Sequence, residues 1–482
     1  MALSRMQNSS VIDTVDKVKR IVVKFGGSNL RTKGGFQKLL KAVQYYDRPL
    51  IIVVSACFGV TDMLVKTIST ASYDKESIQS IKRSLQKIHF EIIDFHISDT
   101  FKKNSVKRKI KTLLNELGKL IQGINCIKEV PDFLEDKILS FGEKLSSLVL
   151  TSVLENKIKK VKEYLPENIG LTTIGEFHNA SIDLIVSGKN LKKHLLKDHT
   201  CVIPGFYGVS HQQQITLLGR GGSDYSATAI ARCIDADAVD LWKDVPGFMT
   251  ADPKYINNPD RVSFLTYDEA AELSYFGAKI LHPRTFEPLY KKDIPIRIFN
   301  INNFSKSLSP STIIRSGKET KNKIIKSVTF SEDFGILKLL GPGVGITPGI
   351  LAKVSSVLHK ESINIKSVIT SQTSINILIS SSDLIRCREI MTSLKLEKIE
   401  NIKIVGNISV IAIVGEGLTK SAGIASRLFT AVSIQNINIH MISAGASDVA
   451  IYFLVDKKEN SKALKAIHNE FFKKTWRESN EK

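Results

Sequence analysis

From Ile21 to Asn302, short runs of β-branched residues alternate with apolar positions at helical spacing. Ile21-Val22-Val23 predicts a strand and a Gly-Gly turn follows; Phe36, Leu39, Leu40 and Val43 then mark one face of a helix. Pro49 restarts the chain as the strand Leu50 to Val54. Strand, turn, helix, strand in that order predicts a parallel sheet covered by helices. Glu76 to Gln122 reads as amphipathic helix and Glu143 to Leu154 as another. Cys201 to Val209, Ala238 to Trp242 and Pro295 to Phe299 read as later strands. The polar stretch Asn302 to Lys323, rich in Ser, Asn and Lys, marks an interdomain boundary.

Beyond it the chain repeats itself. Gly341, Gly349 and Ile363-Asn364-Ile365 recur 74 residues on as Gly415, Gly423 and Ile437-Asn438-Ile439. That period exceeds the 20–50 residues of solenoid repeats and indicates a duplicated small domain. The first copy predicts a strand at Ile336–Leu340, a helix at Gly349–Lys360, and strands at Asn364–Thr370 and Ser374–Ser380. The second predicts Ser409–Val414, Ala422–Gln435, Asn438–Ser443 and Asp448–Val455 in the same order, a ferredoxin-like β-α-β-β-α unit. The expected division is a lead-in at 1–20, an α/β domain at 21–302, a linker at 303–330, and duplicated units at 331–405 and 406–482.

Composition narrows the class. With 482 residues and 43% hydrophobic side chains, the chain has ample material for several cores. No stretch approaches the ~18 consecutive apolar residues of a spanning helix. The first twenty residues carry Gln7, Asn8, Asp13 and Asp16 where a signal peptide would be apolar, so a cytoplasmic protein is expected. Five scattered cysteines without a C-x-x-C pair favour neither disulfides nor a zinc site. Lys+Arg 68 against Asp+Glu 48 gives a net charge of +20, concentrated at Lys102 to Lys111 and Lys157 to Lys162. Neither cluster is interleaved with aromatics, so both read as solvated helix faces rather than a nucleic-acid surface, although the field would help attract nucleotides.

Two glycine turns carry the candidate chemistry. Lys24-Phe25-Gly26-Gly27-Ser28 closes the first strand, where open α/β sheets bind ligands. Gly26 and Gly27 allow close backbone approach and aim N–H groups at an anion beside the Lys24 charge, in neither a P-loop nor a dinucleotide pattern. Gly219-Arg220-Gly221-Gly222-Ser223-Asp224 precedes the helical run Tyr225 to Arg232. A helix N-terminus there suits an anion, and Arg220 can clamp a carboxylate through paired hydrogen bonds. Asp224 could equally serve only as a helix-terminal charge. Two anion loops in one α/β domain imply phosphoryl transfer between a nucleotide and an acidic acceptor. Trp242 to Lys254 ends a strand in a Pro-Gly turn, and His282 beside Pro283 reads as a packed structural histidine.

Together these residues resemble the aspartate kinases, amino-acid kinases with paired C-terminal ACT domains. The likeness rests on Lys24 to Ser28, Ser55-Ala56 with Gly59-Val60-Thr61, Ser140-Phe141-Gly142-Glu143, Gly219 to Asp224, Trp242 to Lys254 and Phe276 to Pro283, in that order, plus the repeat. It implies a three-layer α/β/α sandwich around a mostly parallel sheet, followed by two βαββα ACT units. It implies that ATP with Mg²⁺ phosphorylates the side-chain carboxylate of L-aspartate to 4-phospho-L-aspartate, at the head of lysine, threonine and methionine synthesis.

By the same resemblance, Lys24 stabilises the transferring phosphate and, with Asp224, belongs to the catalytic set. Glu143 holds the substrate ammonium, Arg220 the substrate carboxylate, and Thr61 offers a hydroxyl. Gly26, Gly27, Ser28, Gly221, Gly222, Ser223, Lys243, Asp244, Met249, Lys254, Lys279 and Ile280 match nucleotide-side positions. The sequence departs from the family's pattern at Asn29, Met249 and Lys254. No protein ligand for the metal is assigned, since Mg²⁺ is expected on ATP oxygens and water. Gly345, Ile346, Thr347, Gly349, Ile350, Ser367 and Thr370 are the expected amino-acid effector site. A homodimer or higher homo-oligomer through the ACT units is expected. The chain stops at Lys482, which favours a monofunctional enzyme and lysine over threonine as effector. The competing readings are a kinase for another acceptor and a non-catalytic amino-acid sensor.

Overall fold

The strand expected at Ile21 runs to Phe25 (β1) in the computed structural model, which describes residues 20–71, 76–158, 160–306, 308–317 and 324–473. The expected lead-in up to residue 19, and Lys159 of the second basic cluster, lie outside the described residues. Two compact units divide the chain: Met1–Val245 with Thr285–Pro310, and Pro246–Arg284 with Ser311–Lys482. After β1 come α1 (Lys33–Gln44), β2 (Leu50–Val54), α2 (Val60–Ala71), α3 (Glu76–His96), α4 (Thr100–Ile127), α5 (Asp132–Leu139) and α6 (Phe141–Leu154). Then follow β3 (Val161–Glu163), α7 (Pro166–Ile169), β4 (Thr172–Ile174), β5 (Ser181–Ile182), α8 (Leu184–Leu195) and β6 (Thr200–Pro204). β7 (Tyr207–Ser210), β8 (Ile215–Leu217), α9 (Gly222–Ile234), β9 (Ala238–Lys243), β10 (Phe264–Leu265), α10 (Tyr267–Tyr275), β11 (Ile296–Asn300) and β12 (Thr312–Ile314) complete this part.

In the first unit β1 pairs in parallel with β2 and β9, and the order β11-β9-β1-β2-β6-β3 is parallel throughout. Such a sheet must be covered on both faces. Ile21, Val23 and Phe25 share a core with Leu39, Leu85, Ile110 and Leu145 of the helices on one side. The alternate residues Val22 and Lys24 point the other way, where α9 packs on β1, β2 and β9. This is the helix–sheet–helix layering the sequence implied. Asp240 is buried mid-strand, held by two hydrogen bonds from Arg297 (2.6 and 2.7 Å) and one from the Tyr46 hydroxyl (2.7 Å). A second, smaller sheet, β5-β4-β7-β8, leads into the Arg220 loop.

Two readings need refinement. The helical stretch from Glu76 is two helices, because Asp99 caps α4 by accepting the Lys102 N–H at 2.9 Å. The single strand expected from Cys201 to Val209 is β6 and β7, in different sheets. Gly205 lies at the break: a Cβ there would lie 3.0 Å from both Ser223 Cβ and Val53 Cγ1, so a side chain would crowd the start of α9 against β2.

In the second unit β10 and β12 pair in parallel, and α10 starts with a capping box between Thr266 and Glu269. The remaining elements are β13 (Ser327–Ser331), β14 (Gly335–Leu340), α11 (Ile350–Lys360), β15 (Ser367–Ser371), β16 (Ser374–Ile379), α12 (Leu384–Ser393) and β17 (Asn401–Val405). The second copy supplies β18 (Ile408–Val414), α13 (Ile424–Ser433), β19 (Met441–Ala444), β20 (Ala450–Asp456) and α14 (Asn460–Phe472). Both copies form antiparallel sheets, ordered β15-β16-β14-β17 and β13-β18-β20-β19.

The 74-residue repeat has a physical cause at each position. A Cβ on Gly341 or Gly415 would collide with the backbone carbonyl of Lys398 or Ile324. Gly349 and Gly423 cap α11 and α13 with φ of 87° and 84°. Ile363 and Ile437 are buried in equivalent cores. Each sheet has one strand more than the expected β-α-β-β-α unit. β17 follows the first copy, whereas the second copy's extra strand, β13, precedes the first copy in sequence and pairs with β18. The stretch read as a linker therefore carries β12 and β13. The segment 246–284, read as part of the first domain, packs with the second copy. Ala251 and Ile256 join its core, Val328 N–H donates to the Thr250 carbonyl (2.9 Å), and Thr250 Oγ1 lies 3.0 Å from His468 Nε2.

Candidate active site

At the carboxyl ends of β1 and β2 a cavity of about 620 Å³ opens between the two glycine turns. Lys24, on the α9 face of β1, is 5% exposed, and its Nζ lies 2.6 Å from Asp224 Oδ1. Lys243, the last residue of β9, places its Nζ 2.6 Å from Asp224 Oδ2. Asp224 sits in the first turn of α9, so the helix terminus and two ammonium groups converge on one carboxylate. Burial works to raise its pKa, but Lys24 and Lys243 outweigh burial and hold it well below the usual carboxylate range. Burial lowers the Lys24 pKa, against the attraction of Asp224.

Glu143 enters from the first turn of α6 and is 3% exposed. Its Oε1 accepts the Ala56 N–H at 2.9 Å, which joins two of the sequence motifs. Its Oε2 is buried with no hydrogen-bond partner. Burial pushes its pKa from the ordinary 4.5 up to about 8. An unpartnered, buried carboxylate oxygen on a cavity wall is suited to a cationic ligand group. Opposite, Gly219 and Gly221 both take φ of 71°, the left-handed conformation that turns Arg220 out at the cavity.

The structure thus gathers Lys24, Gly27, Thr61, Glu143, Arg220, Gly221, Gly222, Ser223 and Asp224 around one cavity, with Lys243 joined through Asp224. Gly26 needs correction. Its N–H donates to Asn29 Oδ1 at 3.0 Å, so it is not aimed at an anion, and the departure at Asn29 stiffens the turn from within. Ser28 is half-buried in the 3₁₀ turn Gly27–Leu30 and does not line the cavity. Asp244 is exposed, its carbonyl accepting from Asn302 Nδ2 at 3.4 Å. Met249, Lys254, Lys279 and Ile280 belong to the second unit and are not among the lining residues. There Met249 bridges Arg261, Lys254 N–H donates to Asp252 Oδ1 (2.9 Å), and Lys279 is exposed.

Of the expected effector residues, Ile346 is exposed, Ile350 is buried and Thr347 Oγ1 donates to the Gly343 carbonyl (2.8 Å). Gly345 approaches the Ser371 carbonyl too closely for any side chain, and Gly349 caps α11. Ser367 Oγ accepts from the Tyr452 hydroxyl (2.9 Å), linking the two ACT-like sheets, and Thr370 lies exposed on the edge strand β15. Sequence reasoning missed Cys57, Phe58, Asp62, Glu135, Leu139, His178, Phe206 and Leu217, all of which line the cavity. Glu135 and Leu139 were within reach, one helical turn apart just before the Ser140-to-Glu143 motif. His178 carries no sequence signal.

Among the described residues no group of three or more His, Cys, Asp or Glu side chains could hold a metal ion, and both Asp224 oxygens face lysines. The cavity's own residues therefore do not form a metal cage. No helix among the described residues is long and apolar enough to cross a membrane.

Comparison with known proteins gives the family. The amino acid kinase family model matches residues 19–300, and two ACT domain models match 329–390 and 411–471. The chain is 30% identical to a bifunctional aspartokinase/homoserine dehydrogenase of Buchnera aphidicola over 94% of its own length, and spans 56% of that relative. It is 30% identical to Arabidopsis thaliana aspartokinase 1, covering 98% of this chain and 83% of the relative. Escherichia coli aspartokinase III in complex with aspartate and ADP superposes with a TM-score of 0.81 at 24% identity, over 94% of this chain and 100% of that one. The same enzyme in complex with lysine and aspartate gives 0.76.

Proposed function

The chain belongs to the aspartokinases of the amino acid kinase family, with two ACT domains, and from that premise we propose that its cavity transfers the γ-phosphoryl group of ATP to the side-chain carboxylate of L-aspartate. The observation that carries this reading is the pairing, in one cavity, of an unpartnered Glu143 oxygen with the Lys24–Asp224–Lys243 cluster. Glu143 offers a seat for the substrate ammonium and Arg220 for a carboxylate, which fixes an amino acid at two points. Thr61 adds a hydroxyl beside them.

The acceptor needs no general base, because an aspartate side chain with a pKa of about 3.9 is already ionised at neutral pH. One carboxylate oxygen forms the new O–P bond, the bond from the γ-phosphorus to the ADP oxygen breaks, and no proton moves. Catalysis then comes from alignment and from stabilising charge on the phosphoryl oxygens. Lys24 is the buried cation at that point. Asp224 aims the two ammonium groups, and its own charge is balanced by them, so it does not repel the nucleotide. The Gly27 turn and the Gly221-Gly222-Ser223 start of α9 allow close approach of the phosphates. Mg²⁺, which neutralises phosphate charge when bound, would be held by nucleotide oxygens and water.

Met249, Lys254, Lys279 and Ile280 ride on the same unit as the ACT sheets. An amino acid bound at the Gly345–Ile350 loop and Ser367–Thr370 would bias that unit and so reach these nucleotide-side positions. Lysine is the favoured effector, and a homodimer through the ACT sheets the favoured assembly, in the cytoplasm. Incubation with aspartate and Mg-ATP, with ADP measured by a coupled assay and the acyl phosphate trapped by hydroxylamine, tests the reaction. ADP without aspartyl hydroxamate would refute it. Titration calorimetry with lysine and threonine tests the effector: heat from lysine is expected, and none from either would remove the sensor role.

A further inference from the structure

Asp136, on α5, is fully buried, yet nothing in the proposed reaction uses it. Its Oδ2 accepts two backbone N–H groups, from Leu217 at 2.7 Å and from His178 at 3.0 Å. Its Oδ1 lies 2.6 Å from Nδ1 of the His178 ring. Leu217 ends β8 and stands three residues before Arg220. His178 lies in the turn between β4 and β5, lines the cavity, and takes φ of 64°, a left-handed conformation uncommon outside glycine. One carboxylate thus ties α5, the His178 turn and the base of the Arg220 loop together.

The charges around the cavity give this tie a purpose. Asp62, Glu135, Glu143 and Asp224 all line it, and Asp136 lies just behind. Lys24 and Lys243 are engaged by Asp224. An acidic acceptor therefore depends on Arg220 and on whatever offsets the remaining carboxylates. His178 is placed to do so, with Nδ1 on Asp136 and Nε2 3.3 Å from Asp132 Oδ1. Burial alone would lower its pKa, but Asp136, Asp132 and Glu135, all from α5, raise it.

We propose that Asp136 and His178 are a positioning pair for the acceptor: the carboxylate anchors the strand end that carries Arg220, and the imidazolium cancels the carboxylate's charge at the cavity wall. This rests on the reading of the acceptor as an acidic amino acid.

The pair is tested by a double-mutant cycle of His178→Gly and Asp136→Asn. Glycine suits φ of 64°, so the fold tolerates it. The asparagine oxygen can still accept both N–H groups while carrying no charge. His178→Gly alone is expected to raise the aspartate KM by about tenfold, with kcat and the ATP KM changed by less than about twofold. In the Asp136→Asn background the same change should cost less than about threefold, because the buried charge is gone and only the exposed Asp132 and the half-buried Glu135 still face the ring. Equal factors in both backgrounds, or kcat and the ATP KM moving in step with the aspartate KM, would overturn the proposal. Aspartate binding by calorimetry on the same four proteins gives an independent reading. Were the wild-type protein to turn over no aspartate, the assigned reaction would fall, while the calorimetric cycle would still decide the pair.

Discussion

Replacing Glu143 with glutamine separates what this residue costs the empty protein from what it gives the substrate. The amide is nearly isosteric with the protonated acid and can still accept the Ala56 N–H. Burial raises the Glu143 pKa from 4.5 to about 8. A group whose folded value lies above its unfolded one contributes fully below the unfolded value and loses that contribution as pH rises through the folded one. Between pH 4.5 and 8 the wild-type protein therefore loses stability with each pH unit, and Glu143→Gln does not. At pH 7 the difference is about 3 kcal/mol, from ~1.4 kcal/mol per unit over the interval above 4.5. For a unit of this size that is a Tm higher by roughly 6–12 °C at pH 7, with the two proteins matching near pH 4.

Substrate affinity should move the opposite way. Removing one partner of a buried ion pair costs about 3–5 kcal/mol, of which the wild type forfeits about 1.4 in ionising Glu143 at pH 7. The aspartate KM of the variant is therefore expected to rise by about 15-fold or more. Thermal melts of the ligand-free protein from pH 4 to 8, with coupled-assay kinetics at pH 7, measure both. A Tm difference independent of pH, or an aspartate KM changed by less than about threefold, would refute the account of Glu143.

Lys24→Ala should lower kcat by about 10²-fold or more, as loss of a preorganised charge does, while Lys243 still holds Asp224; a single-turnover assay with near-normal rate would remove Lys24 from the chemistry. Asp240→Ala leaves Arg297 and Tyr46 without their shared buried partner and should destabilise the first unit by about 3–5 kcal/mol; a denaturant midpoint within error of wild type would contradict that assignment.

Much of this site was readable in the chain because it lies where local pattern and topology coincide. A β-branched strand ending in Lys24 and two glycines, and a glycine run ahead of a helix, both announce themselves in sequence. Glu143 came from family likeness, whereas Arg220 already stood out beside its glycines as a possible carboxylate clamp, and both line the cavity. Partnerships across long separations were hidden. Nothing local says that Asp224 takes both Lys24 and Lys243, or that Asn29 consumes the Gly26 N–H. Asp136 and His178 escaped because a lone buried carboxylate and a histidine in a polar turn have no periodicity. Periodicity also announces a strand without naming its sheet, so β13 read as part of a linker.

The placement of β13 has a mechanical consequence. The chain leaves the second copy's sheet at Ser331, builds the whole first copy, and returns at Ile408 beside the point of departure, since Ser331 pairs with Val410. Two short peptide crossings, 332–334 and 406–407, therefore join the copies where tandem beads on a string would have one. A pair of adjacent attachments behaves like the two pins of a door. Bending about the line through them stays permitted, whereas twisting across it strains both at once. Severing either crossing would leave the copies joined by the other, with the Tyr452–Ser367 hydrogen bond left to resist that twist.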